Sequence, residues 1–321
     1  MTAFDLHSTI FVAGHRGLVG GAVVRRLLRA GATRIILRTH DELDLTNQRE
    51  VETFFEVERP KYVFLCAAKV GGIHANISKP AEFIHDNLSI QSTVIHAAWT
   101  HGAKKLLFLG SSCIYPRDAC QPIAESALLT GPLEETNEPY AIAKIAGLKM
   151  CQAYRTQYGF DAVVAMPTNL YGPGDNYHPE NSHVLAGLLR RFHEAKIARI
   201  PEVVVWGTGT PLREMMHVDD LADACLFIMR HYSAAEPINV GSGAELTIAS
   251  LAKMIAEIVG FSGTIRFDHS KADGTPRKLL DVSRLAQLGW APSTSLREGI
   301  LETYRSFLDA RFEPQANIPA R

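Results

Sequence analysis

Thr9-Ile10-Phe11-Val12-Ala13, followed at once by Gly14-His15-Arg16-Gly17-Leu18-Val19-Gly20, is the stretch that decides the fold. The first five residues predict a buried strand. Val19 to Ala30, apolar at helical spacing with Arg25, Arg26 and Arg29 left to solvent, predicts the helix that follows. Three glycines separate the two. Gly14 permits a tight turn, Gly17 lets the backbone approach a pyrophosphate, and Gly20 lets the helix pack closely. Free N–H groups and the positive dipole end at the helix start favour an anion there.

Outward from this turn the pattern repeats. Arg34-Ile35-Ile36-Leu37 reads as a second strand, Tyr62 to Cys66 as a third, Leu106 to Leu109 as a fourth and Ala162 to Met166 as a fifth. Strands alternating with helices at this spacing predict an α/β fold, a doubly wound parallel sheet of the Rossmann type. The pattern changes at Pro173-Gly174-Asp175-Asn176, a loop signal followed by basic residues. Met215 to Val218, a helix from Asp220 to Arg230 and Ile238-Asn239-Val240 read as a return to the sheet. Leu251 to Val259 then reads as a helix and Ile265 to Phe267 as a strand. Residues 1–172 with 214–243 are expected to form the nucleotide-binding domain. Residues 173–213 with 244–321 are expected to form a second, smaller, discontinuous α/β substrate domain, its tail after Phe312 loosely held.

The chain has 321 residues and a net charge of -1, a balance that argues against a nucleic-acid or anionic-membrane partner. No apolar run reaches the roughly 20 residues that span a bilayer, and Met1 to Ser8 lacks the marks of a signal peptide. Five cysteines without paired spacing (Cys66, Cys113, Cys120, Cys151 and Cys225) suggest a reduced, cytoplasmic protein with neither disulfides nor a zinc site.

The chemistry is concentrated in three places. Tyr140 and Lys144 are spaced to share one helix face, where the ammonium is expected to lower the phenol's pKa and make it a proton donor at a carbonyl. Ser111 follows the fourth strand, at the sheet edge where open α/β folds bind ligands. At the end of the second strand, Arg38 and Arg16 favour the 2′-phosphate of NADP over the ribose of NAD, with His40 as a partial helper. Asp44 either meets the adenine edge or caps a helix beginning near Thr46. Ala67 and Ala68 leave room for the adenosine. Cys113 admits two readings: a small buried residue, which residue chemistry alone favours, or a thiolate base for a C–H proton beside a ketone. His183 is a candidate acid, with His178, His193 and His217 nearby and not separable from it. Arg191, Arg213, Arg277 and Lys278 offer charge for a diphosphate, and Trp206 a surface for stacking, although solvated charge and core packing explain each of them singly.

Gly14-His15-Arg16-Gly17, Ala67-Ala68-Lys69-Val70-Gly71-Gly72-Ile73, Gly110-Ser111-Ser112-Cys113-Ile114-Tyr115-Pro116, Asn137 to Lys144, Met166 to Pro173, Asn181-Ser182-His183-Val184 and Asp273 to Asp281 together resemble the extended short-chain dehydrogenase/reductases that act on nucleotide sugars, and among them the group that forms GDP-L-fucose. The likeness runs from about Phe11 to Phe307. It implies epimerisation of GDP-4-keto-6-deoxy-D-mannose at C3 and C5, with Cys113 as base and His183 as acid. NADPH reduction of C4 follows, with Tyr140 as proton donor and Ser111 and Lys144 beside it. The resemblance implies an NADP site formed by Gly14, His15, Arg16, Gly17, Leu18, Val19 and Gly20, by Arg38, His40 and Asp44, and by Ala67, Ala68, Leu109, Gly110 and Ser111. Tyr140, Lys144, Pro167, Asn169, Leu170 and His183 complete it. Arg191, Trp206, Arg213, Asp273 and Lys278 are implied to bind the GDP-sugar, and the protein to be a homodimer. In this group an arginine often stands where the chain has His40, which implies a weaker preference over NAD. The alternatives are a single-function 4-ketoreductase or 4-epimerase on another nucleotide sugar, which needs no thiol base, and a non-catalytic NADP-binding sensor, which needs no Tyr140, Lys144 and Ser111 together.

Overall fold

The computed structural model describes residues 4–179, 182–271 and 273–312, so the tail beyond Phe312 lies outside them. Strand β1 (Ile10–Ala13) leads into α1 (Leu18–Arg29), β2 (Ile35–Ile36), α2 (Gln48–Glu58), β3 (Tyr62–Leu65), α3 (Ile73–Ser78), α4 (Pro80–Thr100), β4 (Lys105–Leu109), α5 (Glu138–Tyr158) and β5 (Asp161–Pro167). The chain continues through β6 (Asn169–Tyr171), α6 (Val184–Ile197), β7 (Glu202–Trp206), β8 (Leu212–His217), α7 (Val218–His231), β9 (Ile238–Val240) and β10 (Glu245–Thr247). It closes with α8 (Ile248–Val259), β11 (Thr264–Asp268), β12 (Arg277–Lys278), α9 (Ser283–Gln287) and α10 (Leu296–Phe312).

Six parallel strands form the main sheet in the order β2-β1-β3-β4-β5-β9. Every residue of β1 is buried, and its side chains alternate between two cores. Phe11 and Ala13 pack with Phe54 and Phe55 of α2, Val94 of α4 and Leu148 of α5. Ile10 and Val12 pack on the other face with Val23 of α1 and Leu221 of α7. The sheet is doubly wound because both faces need a helix layer to exclude water. β1 lies between β2 and β3, so the strand order reverses there and leaves a crevice at the carboxyl ends.

A third apolar cluster joins Leu185, Leu189 and Phe192 of α6, Val203 and Val205 of β7, Ile255 of α8 and Ile300 of α10. Two sequence expectations change. The strand containing Met215 does not rejoin the main sheet: β8 pairs with β6, β10 and β12, and Val218 already begins α7, so only β9 returns. Helix α2 starts at Gln48, where the Asn47 side chain accepts from Arg49 N and Glu50 N. Asp44 caps no helix, because its carboxylate is taken by the backbone N–H (2.9 Å) and hydroxyl (2.7 Å) of Thr46.

Buried Asn239 on β9 joins the two parts of the chain. Its Oδ1 accepts from the Tyr115 hydroxyl at 2.6 Å, and its Nδ2 donates to the carbonyls of Ile123 and Asp281. Asn239→Leu leaves all three groups without a partner and should cost about 3 kcal/mol, read as a lower denaturant midpoint at unchanged slope.

Candidate active site

At the carboxyl ends of β1, β3, β4 and β5 lies a cavity of about 890 Å³. Gly14, Arg16, Gly17, Leu18, Val19 and Gly20 line one end of it. Gly14 has φ +83°, where a side chain is strained, and a Cβ on Gly20 would collide with the Gly14 carbonyl oxygen. The loop therefore presents bare backbone to the cavity. His15 is the exception among the expected cofactor residues: it does not line the cavity, and its Nδ1 is buried without a hydrogen-bond partner. The turn that exposes the backbone on one side carries this ring to the other.

Arg38, His40 and Asp44 line the same end. Arg38 is held by Glu58 at 2.5 Å, by the Leu37 carbonyl at 2.8 Å and over the Phe54 ring at 5.5 Å. It is oriented before any ligand arrives, and its charge is partly offset. His40 is exposed, 3.9 Å from Asp44. Ala67 and Ala68 follow β3 in the cavity wall. Asn87 of α4 fixes that wall by accepting from Lys69 N and donating to Lys69 O, each at 3.0 Å.

In the cavity's middle stand Leu109, Gly110, Ser111, Cys113, Tyr140, Lys144, Pro167, Asn169, Leu170 and, on the rim, His183. Tyr140 and Lys144 lie one turn apart on α5, which packs closely at Gly147, where a Cβ would strike Gln91 and Phe108. The Lys144 ammonium donates to the Leu109 carbonyl at 2.8 Å and lies 4.8 Å from the Phe108 ring centroid. Burial lowers its pKa to about 8. The expected lowering of the Tyr140 phenol is not found. Burial raises it, the neighbouring Cys113 thiol adds to the rise, and the Ser111 hydroxyl offsets part of it. Lys144 is spent on a carbonyl and itself desolvated, so desolvation of the phenol wins.

Cys113 sits in a 3-10 turn capped by Ser111, whose Oγ accepts from Cys113 N at 3.4 Å. The thiol is 8% exposed, and burial raises its pKa; Lys278, Ser111 and Lys144 act against that rise. His183 precedes α6 at its N-terminus, exposed on the rim, with its pKa lowered by the crowded surroundings of the ring. Asn181, beside it in the sequence motif, lies outside the described residues.

Of the residues expected to bind substrate, Lys278 lines the cavity. Arg191, Trp206, Arg213 and Asp273 lie beyond its wall, with Trp206 67% exposed. Asp273 is held by the backbone N–H and hydroxyl of Thr208 at 2.7 and 2.8 Å. The Arg191 guanidinium donates to the Val204 carbonyl at 2.9 Å. Arg213 stands opposite Lys278 in the β8–β12 register.

Several cavity residues escaped sequence reasoning, Asp175 and Phe83 among them. Asp175 has its carboxyl raised to about 6 by burial, with Oδ2 lacking a partner. Its only sequence signal was a loop. Phe83 meets the Tyr140 ring edge-on at 6.3 Å, and nothing in its local sequence marks it.

Comparison with known proteins agrees with this geometry. A family model described as the NAD dependent epimerase/dehydratase family matches residues 10–241. A protein of Arabidopsis thaliana named putative GDP-L-fucose synthase 2 is 66% identical over 300 residues, covering 94% of this chain and 92% of that protein. The GDP-L-fucose synthase of Escherichia coli (strain K12) is 56% identical over 309 residues, 94% of this chain and 96% of that protein. The solved structure of a GDP-L-fucose synthetase from Naegleria fowleri bound to NADP superposes with a TM-score of 0.89 at 29% identity, covering 96% of each chain.

Lys144 allows a test of the site's electrostatics. Its folded pKa, about 8, lies below the ordinary lysine value, so the unfolded chain binds the extra proton between the two and stability rises with pH across that window. Between about pH 7 and pH 10 the parent should gain stability relative to Lys144→Met, by up to about 3 kcal/mol, in paired denaturant titrations.

Proposed function

This chain belongs to the NAD dependent epimerase/dehydratase family, and on that premise we propose that it converts GDP-4-keto-6-deoxy-D-mannose to GDP-L-fucose with NADPH, by epimerising C3 and C5 and then reducing C4. The observation that carries this reading is that Ser111, Cys113, Tyr140, Lys144 and His183 share one cavity with the glycine loop. Relatives of that name at 66% and 56% identity over nearly the whole chain support it.

The residues fit an NADP molecule. Gly14 and Gly20 sit where a Cβ would strike Ala67 and the Gly14 carbonyl oxygen, so the turn stays tight and lines the cavity with backbone at the start of α1, and Arg16, Arg38 and His40 at the same end would supply charge to a 2′-phosphate. When bound, the cofactor supplies hydride to C4. The first half of the reaction belongs to the side chains. The Cys113 thiolate takes the proton from C3 or C5, and the electron pair moves into the ketone as an enolate. His183 returns a proton to the opposite face of the carbon. The depressed pKa of His183 makes it a strong donor, present in smaller amount as pH rises. Ser111 and Tyr140 donate to the C4 oxygen while it carries charge, and Tyr140 then protonates it. Its raised pKa keeps the phenol protonated until it is needed. Lys144 holds the nicotinamide ribose and keeps α5 against the end of β4.

In this reading residues 1–172 and 214–243 hold the cofactor, and residues 173–213 and 244–321 hold the nucleotide sugar. The separate apolar cluster around α6, α8 and α10 supports a second unit, with Tyr171 and Met215 of the adjoining strands β6 and β8 packed into it at the boundary. Arg191, Trp206, Arg213 and Asp273 take the nucleotide end and Lys278 the sugar side. Among the described residues no helix is long and apolar enough to cross a membrane. A cytoplasmic location is proposed on the five free cysteines, and a homodimer on the family resemblance.

Incubation with the keto-sugar and NADPH in deuterated water, read by NMR, tests the reaction. The parent should place deuterium at C3 and C5 of GDP-L-fucose. Cys113→Ser should lose that uptake, and Tyr140→Phe should keep it while losing about 10²- to 10⁴-fold in NADPH oxidation. Undiminished uptake in Cys113→Ser would remove Cys113 as the base, and no uptake in the parent would leave an ordinary ketone reductase. Cofactor choice has a separate readout. Arg38→Ala should lower kcat/KM for NADPH at least about tenfold more than for NADH, and His40→Arg should raise the NADPH-to-NADH ratio several-fold, to about five.

A further inference from the structure

We propose that Lys278 is the fixed cation that ionises Cys113, a positioning residue for the thiol rather than a contact to the diphosphate. The inference rests on the reading of Cys113 as the base and deepens it.

The fold goes to some length to hold these two residues together. Ile123, ten residues after Cys113, forms a parallel bridge with Leu280, two residues after Lys278. Ile123 N donates to the Leu279 carbonyl at 2.8 Å, and Asp281 N donates to the Ile123 carbonyl at 2.9 Å. Leu279 N donates to Gln121 Oε1 at 2.9 Å. Asn239 clamps both segments at once through the Ile123 and Asp281 carbonyls, and Tyr115, two residues from Cys113, donates to Asn239. On the far side, Leu280 N donates to the buried Glu214 carboxylate at 3.0 Å. The segment carrying Lys278 is thus anchored on two sides.

Among the described residues no ion pair or hydrogen bond engages Lys278 Nζ, whereas its neighbour Arg277 is bound to Glu245 at 2.7 Å. Lys278 and Cys113 both line the cavity. The charged and titratable groups around them are few. Lys144 and Tyr140 face the thiol from α5, and Lys144 is already committed to the Leu109 carbonyl. Arg213 and Glu134 face Lys278. Burial opposes charge on both partners, and each favours the charged form of the other.

The consequence for the reaction is direct. As the C–H bond breaks, its electron pair passes to the ketone oxygen and the proton to Cys113 Sγ. The negative charge moves from sulfur to the enolate while Lys278 stays charged beside both. The cation that makes the base therefore remains in place for the intermediate.

The test is peptide-resolved alkylation of Cys113 by iodoacetamide across about pH 6 to pH 10, on the intact protein with no sugar bound. Lys278→Gln should move the midpoint of the profile up by about one to two pH units, and Lys278→Arg should restore most of it. A profile for Lys278→Gln that superposes on the parent overturns the pairing. A second measurement needs no change at Lys278. By linkage, Cys113→Ala must lower the pKa of the Lys278 ammonium, read by NMR of the ¹³C-methylated lysine, by the amount the thiol loses in Lys278→Gln. An unmoved ammonium overturns the proposal even if Lys278→Gln does not fold. Because alkylation is read without substrate, its failure is distinct from retention of deuterium uptake in Cys113→Ser, which would remove the base itself.

Discussion

The hydrogen bond from the Lys144 ammonium to the Leu109 carbonyl holds the chemical centre together. Leu109 is the last residue of β4, and Ser111 and Cys113 follow it. Lys144 is on α5, one turn from Tyr140. A single bond across the top of the sheet thus fixes the distance between the phenol and the pair formed by serine and thiol. It is also costly. Among the described residues no carboxylate pairs with the buried lysine, and desolvation lowers its pKa to about 8. The packing of Gly147 against Gln91 and Phe108 brings α5 near enough for the bond to form, so a small residue on the helix's buried face sets the geometry at its catalytic end.

Desolvation then governs the buried titratable groups at the chemical end of the cavity, whereas hydrogen bonds govern Asp44, Lys69 and Asp86 at its outer end. Desolvation raises Cys113, Tyr140 and Asp175 and lowers Lys144 and Lys278, and each of these is the direction burial alone dictates. For Tyr140 this direction suits the work, because a phenol that stays protonated is ready to give its proton to an oxyanion. For Cys113 it is opposed to the proposed work, because a base must first lose its proton. A thiol in such a place would need a charge brought to it to act as a base; the second sheet and the Asn239 hydrogen bonds anchor the segment that carries Lys278.

Much of this was legible in the sequence for a specific reason. Residues 10–13 alternate between two cores, and glycines at 14, 17 and 20 suit only a strand-to-helix turn that exposes backbone; such local rules survive folding intact. The cavity also gathers every expected cofactor residue except His15, since most lie immediately after a strand and the strands all end at one edge. What was not legible depends on partners far away in the chain. Nothing near Met215 shows that its strand pairs with residues 169–171 and 245–247 rather than with the main sheet. The spacing of Tyr140 and Lys144 gives a shared helix face, but not that the ammonium turns to a carbonyl on β4. Asp44 looked like a helix cap until Asn47, three residues on, proved better placed.

The substrate side shows the same limit in sharper form. Arg191, Trp206, Arg213 and Asp273 share with Lys278 a location on or beside the strands of the second unit, yet only Lys278 reaches the cavity. In the register of β12 on β8, Lys278 and Arg213 stand side by side; Lys278 contributes to the cavity wall and Arg213 does not. Two cations in register on paired strands repel unless something separates or occupies them. Here Asp273 lies beside Arg213, and Cys113 beside Lys278. The two charges are thus divided by their neighbours, Arg213 toward a carboxylate away from the cavity lining and Lys278 toward the thiol within it.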